Sequence, residues 1–241
     1  MKTLIVAECG INAGGIVDLA KKQIDLATTA GADAVKFQVY NSEKLHGKDS
    51  PVYADAKRGE FSHKNLRVLA DYCAIDWFAS AFDEEAVDLL ENIGVPYHKV
   101  ASRSMTNWGL LKKIAKTKKP TIVSTGNHDT GAIGKALDIL KGSKVILMYC
   151  VPTYPTKIRD INFSRMTKLG ELFKVPIGFS DHSTGIWASI EAVRLGATIV
   201  EKHFTTSRSL DGCDQVVSLE PNELKLLVKS IRQLEAYQNN L

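Results

Sequence analysis

Eight short apolar runs, each followed by a longer stretch whose apolar residues recur at helical spacing, leave this chain few folds to choose from. The runs are Leu4–Glu8, Ala34–Gln38, Trp77–Phe82, Tyr97–Ser102, Thr121–Ser124, Val145–Cys150, Ile177–Ser180 and Thr198–Phe204. The helical stretches are Val17–Thr29, Lys64–Ala74, Glu84–Ile93, Leu110–Lys116, Ala132–Leu140, Phe163–Phe173, Ile186–Leu195 and Glu223–Tyr237. Strands that are apolar throughout, rather than in alternation, are the kind buried on both faces of a parallel sheet. Eight strand–helix units in 241 residues match a closed (β/α)8 TIM barrel, which takes roughly 250 residues. A doubly wound open sheet is the alternative. Glycine and proline punctuate the helix exits at Gly31, Gly94-Val95-Pro96, Pro120, Pro176 and Gly196, where the chain must leave a helix for the next strand. Residues 39–62 carry Gly47, Pro51 and Gly59 and match neither pattern, so they read as a substrate lid or as an ordered surface loop. No linker or low-complexity segment interrupts residues 1–241, which read as one barrel domain.

Composition narrows the function classes. With 44% hydrophobic and 24% charged residues the chain can build a core, which removes disordered and collagen-like readings. Cys9, Cys73, Cys150 and Cys213 are widely spaced and contain no CxxC pair, so neither a disulfide framework nor a zinc–thiolate site is expected, and a reducing cytoplasm is. No run of about 18 apolar residues marks a membrane span, and the N-terminus lacks a signal peptide's apolar stretch. The net charge of +4 includes no long basic block; Lys112, Lys113, Lys116, Lys118 and Lys119 read as a solvated helix face, so nucleic acid is not an expected partner.

The polar residues gather at the C-terminal ends of the runs: Glu8, Lys36, Ser80, Asp83, Lys99, Ser102, Arg103, Ser124, Tyr149, Ser180, Asp181, His182, Glu201, Lys202 and His203. In a barrel these ends meet at one mouth. Because barrel interiors are normally filled by Val, Ile and Leu, and an unpaired buried charge is costly, such a ring points to a site. An internal ion-pair layer, for example Glu8 with Lys36, is the structural alternative. His182 and His203, at the ends of adjacent runs, are candidates for one divalent cation through neutral imidazole nitrogens. On spacing alone the pair is weak evidence for a metal, since such histidines are more often hydrogen-bonded structure. Lys36 and Lys99, with the hydroxyls of Ser102, Ser124 and Ser180, are residue types that hold a phosphate. His46, His63, His98 and His128 carry no spacing signal.

Seven segments together resemble the sialic acid synthase family, which includes legionaminate and pseudaminate synthases. They are AECGINAGG (7–15), AGADAVKFQVY (30–40), GVPYHKVASRSMTN (94–107), PTIVSTG (120–126), YPT (154–156), GFSDHSTG (178–185) and GATIVEKHFT (196–205), followed by Gly212–Asp214 as the GxD. The resemblance runs through nearly the whole chain in order. It implies a (β/α)8 barrel that condenses phosphoenolpyruvate with the open-chain aldehyde of an N-acetylated hexosamine, giving a nine-carbon 2-keto sugar acid and phosphate. By resemblance, His182 and His203 ligate Mn2+, or Mg2+ or Co2+, which polarises the aldehyde for attack by C3 of phosphoenolpyruvate. Lys36, Lys99, Ser102, Ser124 and Ser180 match positions that hold phosphoenolpyruvate, while Glu8, Tyr154 and Asp214 match positions near the sugar and metal.

Four departures accompany the resemblance. The family's KxGSGE reads Lys99-Val100-Ala101-Ser102-Arg103-Ser104, so its glutamate is a serine. The family's NHxG reads Asn12-Ala13-Gly14-Gly15, and its STPFD is shortened to Ser80-Ala81-Phe82-Asp83. The fourth is that the sequence ends at Leu241, where family members continue into an antifreeze-like domain that reaches the partner subunit. The expectation is therefore a cytoplasmic synthase in which Arg103 replaces some of the lost electrostatic stabilisation, acting as a homodimer or with a separate antifreeze-like chain. The alternatives are an impaired barrel that binds metal and phosphosugar as a sensor or partner subunit, and a metal-dependent aldolase.

Overall fold

All eight apolar runs become strands in the structure, a computed structural model that describes residues 2–238. In chain order the elements are β1 (Leu4–Glu8), α1 (Val17–Ala30), β2 (Ala34–Val39), α2 (Ser42–Leu45), α3 (Tyr53–Gly59), α4 (His63–Tyr72), β3 (Asp76–Ala81), α5 (Glu84–Ile93) and β4 (His98–Val100). There follow α6 (Trp108–Thr117), β5 (Thr121–Ser124), α7 (Thr130–Ile139), β6 (Val145–Cys150), α8 (Phe163–Phe173), β7 (Ile177–Asp181), α9 (Trp187–Arg194), β8 (Ile199–His203) and α10 (Pro221–Gln238). The strands pair in parallel in sequence order and β8 returns to β1, closing a (β/α)8 barrel and removing the open-sheet alternative.

Local chemistry sets the helix ends. Asp83, Asn107, Asp129 and Asn162 each accept a hydrogen bond from the backbone N–H three residues on (2.8, 3.1, 2.8 and 3.0 Å), satisfying donors that the first turn of a helix leaves free. Asp83 is thereby a helix cap of α5, not a member of the mouth chemistry. Gly31 ends α1 in the left-handed conformation (φ 90°), where a Cβ would be strained.

Strand alternation divides the side chains into two populations. Outward-facing Ile5, Val35, Phe37, Ala79, Val123, Leu147 and Val200 are buried between barrel and helices and form the main apolar core. Inward-facing Val6, Phe78, Ile122, Met148 and Ile199 fill the barrel below its mouth, and the next inward layer up carries the polar residues. At the opposite end, Arg232 of α10 donates to the Thr3 carbonyl (2.9 Å) and pairs with Asp33 and Glu235.

Two elements differ from expectation. Strand four is shorter than 97–102 because Ser102–Ser104 turn into a 3-10 helix immediately after it. The segment without a pattern, 39–62, contains α2 and α3, packed down by buried Tyr40, Ala56 and Phe61, and Tyr40 donates to the Ala56 carbonyl (2.7 Å). It is an ordered wall, too short in each helix to show a period. Among the described residues no helix is long and apolar enough to cross a membrane.

Candidate active site

Glu8, Lys36, Ser80, Lys99, Ser124, Cys150, Ser180 and Glu201 each stand on a different strand and point into one inner cavity of about 90 Å³. Its floor is a fully buried cluster of charge. Lys36 pairs with Glu8, donates to Ser80 Oγ (3.1 Å) and lies 3.8 Å from Glu201. Lys99 pairs with Glu201 at 3.2 Å, and Ser180 donates to the same carboxylate (3.0 Å). Gln38 donates to Glu8 Oε1 at 3.0 Å. Two close approaches make room for this: a Cβ on Gly10 would stand 2.8 Å from Glu8 Oε1, and one on Gly126 would stand 2.1 Å from Ser102 Oγ. Those glycines are the last residue of AECG and of STG.

Electrostatics leaves the cluster short of negative charge. Burial pushes the Glu8 carboxyl up to about 7, against the pull of Lys36 and with help from Glu201. Glu201, also driven up by burial, is held below the usual carboxylate range by Lys36 and Lys99. Burial alone would lower the Lys36 ammonium, but Glu201 and Glu8 hold it above its ordinary value; for Lys99 burial wins and the value falls. With Glu8 only about half ionised near neutral pH, two ammonium groups face fewer than two carboxylate charges. A net positive floor beside a cavity suits an anion.

The histidines line the same cavity, their ring centres 5.7 Å apart. His182 donates from Nδ1 to the Val151 carbonyl (2.8 Å), which fixes the tautomer and leaves the Nε2 lone pair facing the cavity, 2.9 Å from the Tyr154 hydroxyl. Tyr154 stacks on this ring at 4.1 Å. His203 Nδ1 is buried without a hydrogen-bond partner, and Asp214 Oδ2 lies 3.6 Å from it. Burial holds both imidazoles neutral, His182 down to about 4 with His203 contributing, and His203 down to about 3 with Lys36 contributing. Neutral imidazole nitrogens lining a polar cavity are a donor type that fits a divalent ion. Among the described residues no three His, Cys, Asp or Glu side chains gather into a complete ligand group.

An outer chamber of about 560 Å³ opens above, sharing Gln38, Ser102 and Tyr154 with the inner cavity and walled by Tyr40, Leu45, His46, Val52 and Ala56 from the 39–62 segment. Asp214 lines it from the loop after β8, its carboxyl pushed up by burial. Arg103 also lines it, exposed, with its guanidinium on the Leu45 carbonyl (3.0 Å) and His46 Nε2 (3.3 Å). Arg103 therefore stands apart from the buried charges. Ser104, where the family pattern has glutamate, is buried in the 3-10 turn and lines neither chamber.

Of the sequence candidates, Glu8, Lys36, Lys99, Ser102, Ser124, Tyr154, Ser180, His182 and His203 converge on the inner cavity, while Asp214 and Arg103 belong to the outer chamber. Glu201 and Ser80 stand in the polar ring read from the sequence, which gives them no role; Glu201 contacts both lysines and Ser80 accepts from Lys36, and Glu201's place two residues before His203 on β8 puts it on the same inward face. Gln38 and Cys150 lie outside that ring. His128, which has no spacing signal, donates from Nε2 to the Ser102 carbonyl at 3.0 Å.

Known proteins are similar to this chain along most of its length. The N,N'-diacetyllegionaminic acid synthase of Campylobacter jejuni is 39% identical over 97% of this chain and 77% of its own length. The human N-acetylneuraminate-9-phosphate synthase is 36% identical over 96% of this chain and 70% of its own. The crystal structure of the sialic acid synthetase of Leptospira borgpetersenii, in complex with citrate, superposes with a TM-score of 0.95 at 37% identity, covering 99% of this chain and 85% of that one. Residues 23–240 match the NeuB family, and with that match and these relatives the barrel takes its place: the chain belongs to the NeuB family.

Proposed function

We propose that this barrel condenses phosphoenolpyruvate with the open-chain aldehyde of an N-acetylated hexosamine, giving a nine-carbon 2-keto sugar acid of the sialic acid type and phosphate. The observation that carries the reading is the coexistence, in one cavity, of a cationic floor and two neutral histidines beneath a larger chamber. The names of the relatives, synthases of sialic, legionaminic and pseudaminic acids, give the reaction class.

Lys36 and Lys99, with Ser102, Ser124 and Ser180, bind the phosphate and carboxylate of phosphoenolpyruvate at the floor. The acceptor occupies the outer chamber, where Asp214 and Tyr154 orient its hydroxyls and aldehyde. His182 and His203 would hold a divalent ion, Mn2+ or one of similar preference, and that ion would supply Lewis-acid chemistry beside the acceptor. When bound, such an ion polarises the aldehyde oxygen and so makes its carbon a better electrophile. C3 of phosphoenolpyruvate attacks that carbon, water adds at C2, and the tetrahedral product expels phosphate. Glu8, poised near neutral pH, is the carboxyl able to move a proton at the floor. Lys36 and Lys99 stabilise the negative charge on the departing phosphate.

The test is the purified protein with Mn2+, phosphoenolpyruvate and a panel of N-acetylated hexosamines. Release of phosphate together with a 2-keto acid for at least one acceptor is expected. Phosphoenolpyruvate binding without turnover on any acceptor would favour the impaired-barrel alternative instead.

A further inference from the structure

Behind the histidines, on the outer face of β7 and β8, lies a second buried ion pair that touches neither chamber. Asp181 and Lys202 are register partners on the adjacent strands, and their side chains are 0% and 1% exposed. Lys202 Nζ stands 3.2 Å from Asp181 Oδ2 and also donates to the Ser183 carbonyl. Asp181 Oδ1 accepts from the backbone N–H of Ser183 (2.8 Å) and from its hydroxyl (2.6 Å). Asp181 Oδ2 accepts from Ser189 on α9 at 2.7 Å. Residues 181–183 are thus gripped on both sides of His182, and the lysine that does part of the gripping immediately precedes His203.

Strand alternation explains the placement. With His182 and His203 facing inward, their neighbours Asp181 and Lys202 must face outward. An apolar pair would ordinarily fill that position, because two charges taken out of water seldom repay their desolvation. Here one carboxylate oxygen is spent on Ser183, next to His182, and the other on Lys202, next to His203, and on Ser189 of α9, which is a geometric use of the pair, not a gain in burial energy.

We infer that Asp181 and Lys202 are positioning residues, an outer-face clamp that holds the two imidazoles of β7 and β8 at one fixed separation for a shared divalent cation. The inference rests on the metal reading given above. Imidazoles on adjacent strands share one ion only if their strand ends keep the same stagger, and a shift of about 0.5 Å in such a site is already costly. Removing groups that orient metal ligands typically costs about 10–100-fold in affinity.

The clamp is tested in the double variant Asp181→Leu/Lys202→Met, which takes away both charges and leaves no buried ion unpaired. Mn2+ affinity is measured by titration, and phosphoenolpyruvate affinity separately in metal-free protein, alongside thermal unfolding. The expected result is Mn2+ binding weakened about tenfold or more, phosphoenolpyruvate binding within about twofold of wild type, and retained folding. Asp181→Asn/Lys202→Met keeps the acceptor for Ser183 and should recover part of the Mn2+ affinity, a rescue that a purely structural role would not produce. Wild-type Mn2+ affinity in the Leu/Met variant would overturn the inference. So would a parallel loss of both ligands, or failure of both double variants to fold, since either makes the pair simply structural. Failure of wild type itself to bind Mn2+ would overturn the metal reading, and the clamp with it.

Discussion

Both ends of the barrel carry networks of lysine or arginine with acidic residues, and the two networks are opposites in every respect except composition. At the mouth, Glu8, Lys36, Lys99 and Glu201 are fully buried around a cavity, and one carboxyl is pushed up to about 7 by burial. At the base, Asp33 accepts from Lys2 (2.6 Å), from the Ile5 N–H (2.8 Å) and from Arg232, while Glu235 accepts from Thr3 N–H and Arg232. Burial pushes these two carboxyls up as well, but their hydrogen bonds outweigh it and hold both below the usual range. The base spends its charges on closing β1, β2 and α10 together. The mouth sets two ammonium groups against a carboxylate and a half-ionised carboxyl, beside a cavity. Charge balance and an adjoining cavity, rather than residue type, separate a structural ion network from one prepared for a ligand.

The comparison fails first if the mouth does not need its cations. Lys99→Ala removes one of two ammonium groups from a dry floor, and losing one charged hydrogen bond there costs roughly 1.5–3 kcal/mol. Calorimetric titration with phosphoenolpyruvate should show affinity falling about tenfold or more. Equal affinities would make the mouth cluster another internal brace.

At the base the prediction is reversed. Arg232→Ala takes the common partner from Asp33 and Glu235, and the expected loss is about 1–2 kcal/mol of stability. This is the low part of the range because the Arg232 side chain is 27% exposed. The thermal midpoint falls by about 2–4 °C per kcal/mol, while phosphoenolpyruvate affinity stays within about twofold. A weakened ligand together with unchanged stability would erase the distinction between the two ends.

Acid titration sharpens the same contrast with a smaller effect. Asp33 and Glu235 have depressed values in the folded protein, so between those and the ordinary values near about 4 the unfolded chain binds more protons and stability rises with pH. Their contribution is present above about pH 4.5 and is lost as pH falls through the folded values. Arg232→Ala should therefore flatten the acid limb of the stability profile, measured by denaturant unfolding between about pH 3 and 5. An acid limb as steep as wild type would show that Arg232 does not set these values.

What could be read in the sequence follows the same division between strands and loops. Runs such as Leu4–Glu8 and Ile177–Ser180 are legible because a buried parallel strand leaves a continuous apolar signature, and a charge at its end is conspicuous against it. Glu201 stands out as a polar residue in such a run, but its role beside the lysines does not, because only alternation counted back from His203 shows that it shares the inward face. The outer chamber was not legible: α2 and α3 have 4 and 7 residues, too few for a period, and their packing depends on Tyr40 and Phe61 meeting residues far away in sequence. Arg103 and Ser104 show the limit of a motif position. One residue of the 3-10 turn reaches the chamber and its neighbour does not, and a linear pattern carries no such geometry.

Arg103 gives the smallest expected effect and separates the two chambers from each other. Its guanidinium is fixed on the Leu45 carbonyl and His46, at the rim of the outer chamber, where solvent screens its charge. It forms no contact with Lys36, Lys99, Glu8 or Glu201, whose ion pairs are complete without it. A replacement for the missing family glutamate would have to act on the reacting atoms at the floor; a rim residue acts on the acceptor. Arg103→Ala should therefore raise the acceptor KM about 2–5-fold, corresponding to roughly 0.5–1 kcal/mol for a partly exposed charged contact, and leave phosphoenolpyruvate affinity unchanged. Steady-state kinetics at saturating phosphoenolpyruvate reads the first and calorimetry the second. A fall in kcat of about a hundredfold or more at unchanged KM would place Arg103 in the chemistry instead, and would mean that the rim closes onto the floor during turnover.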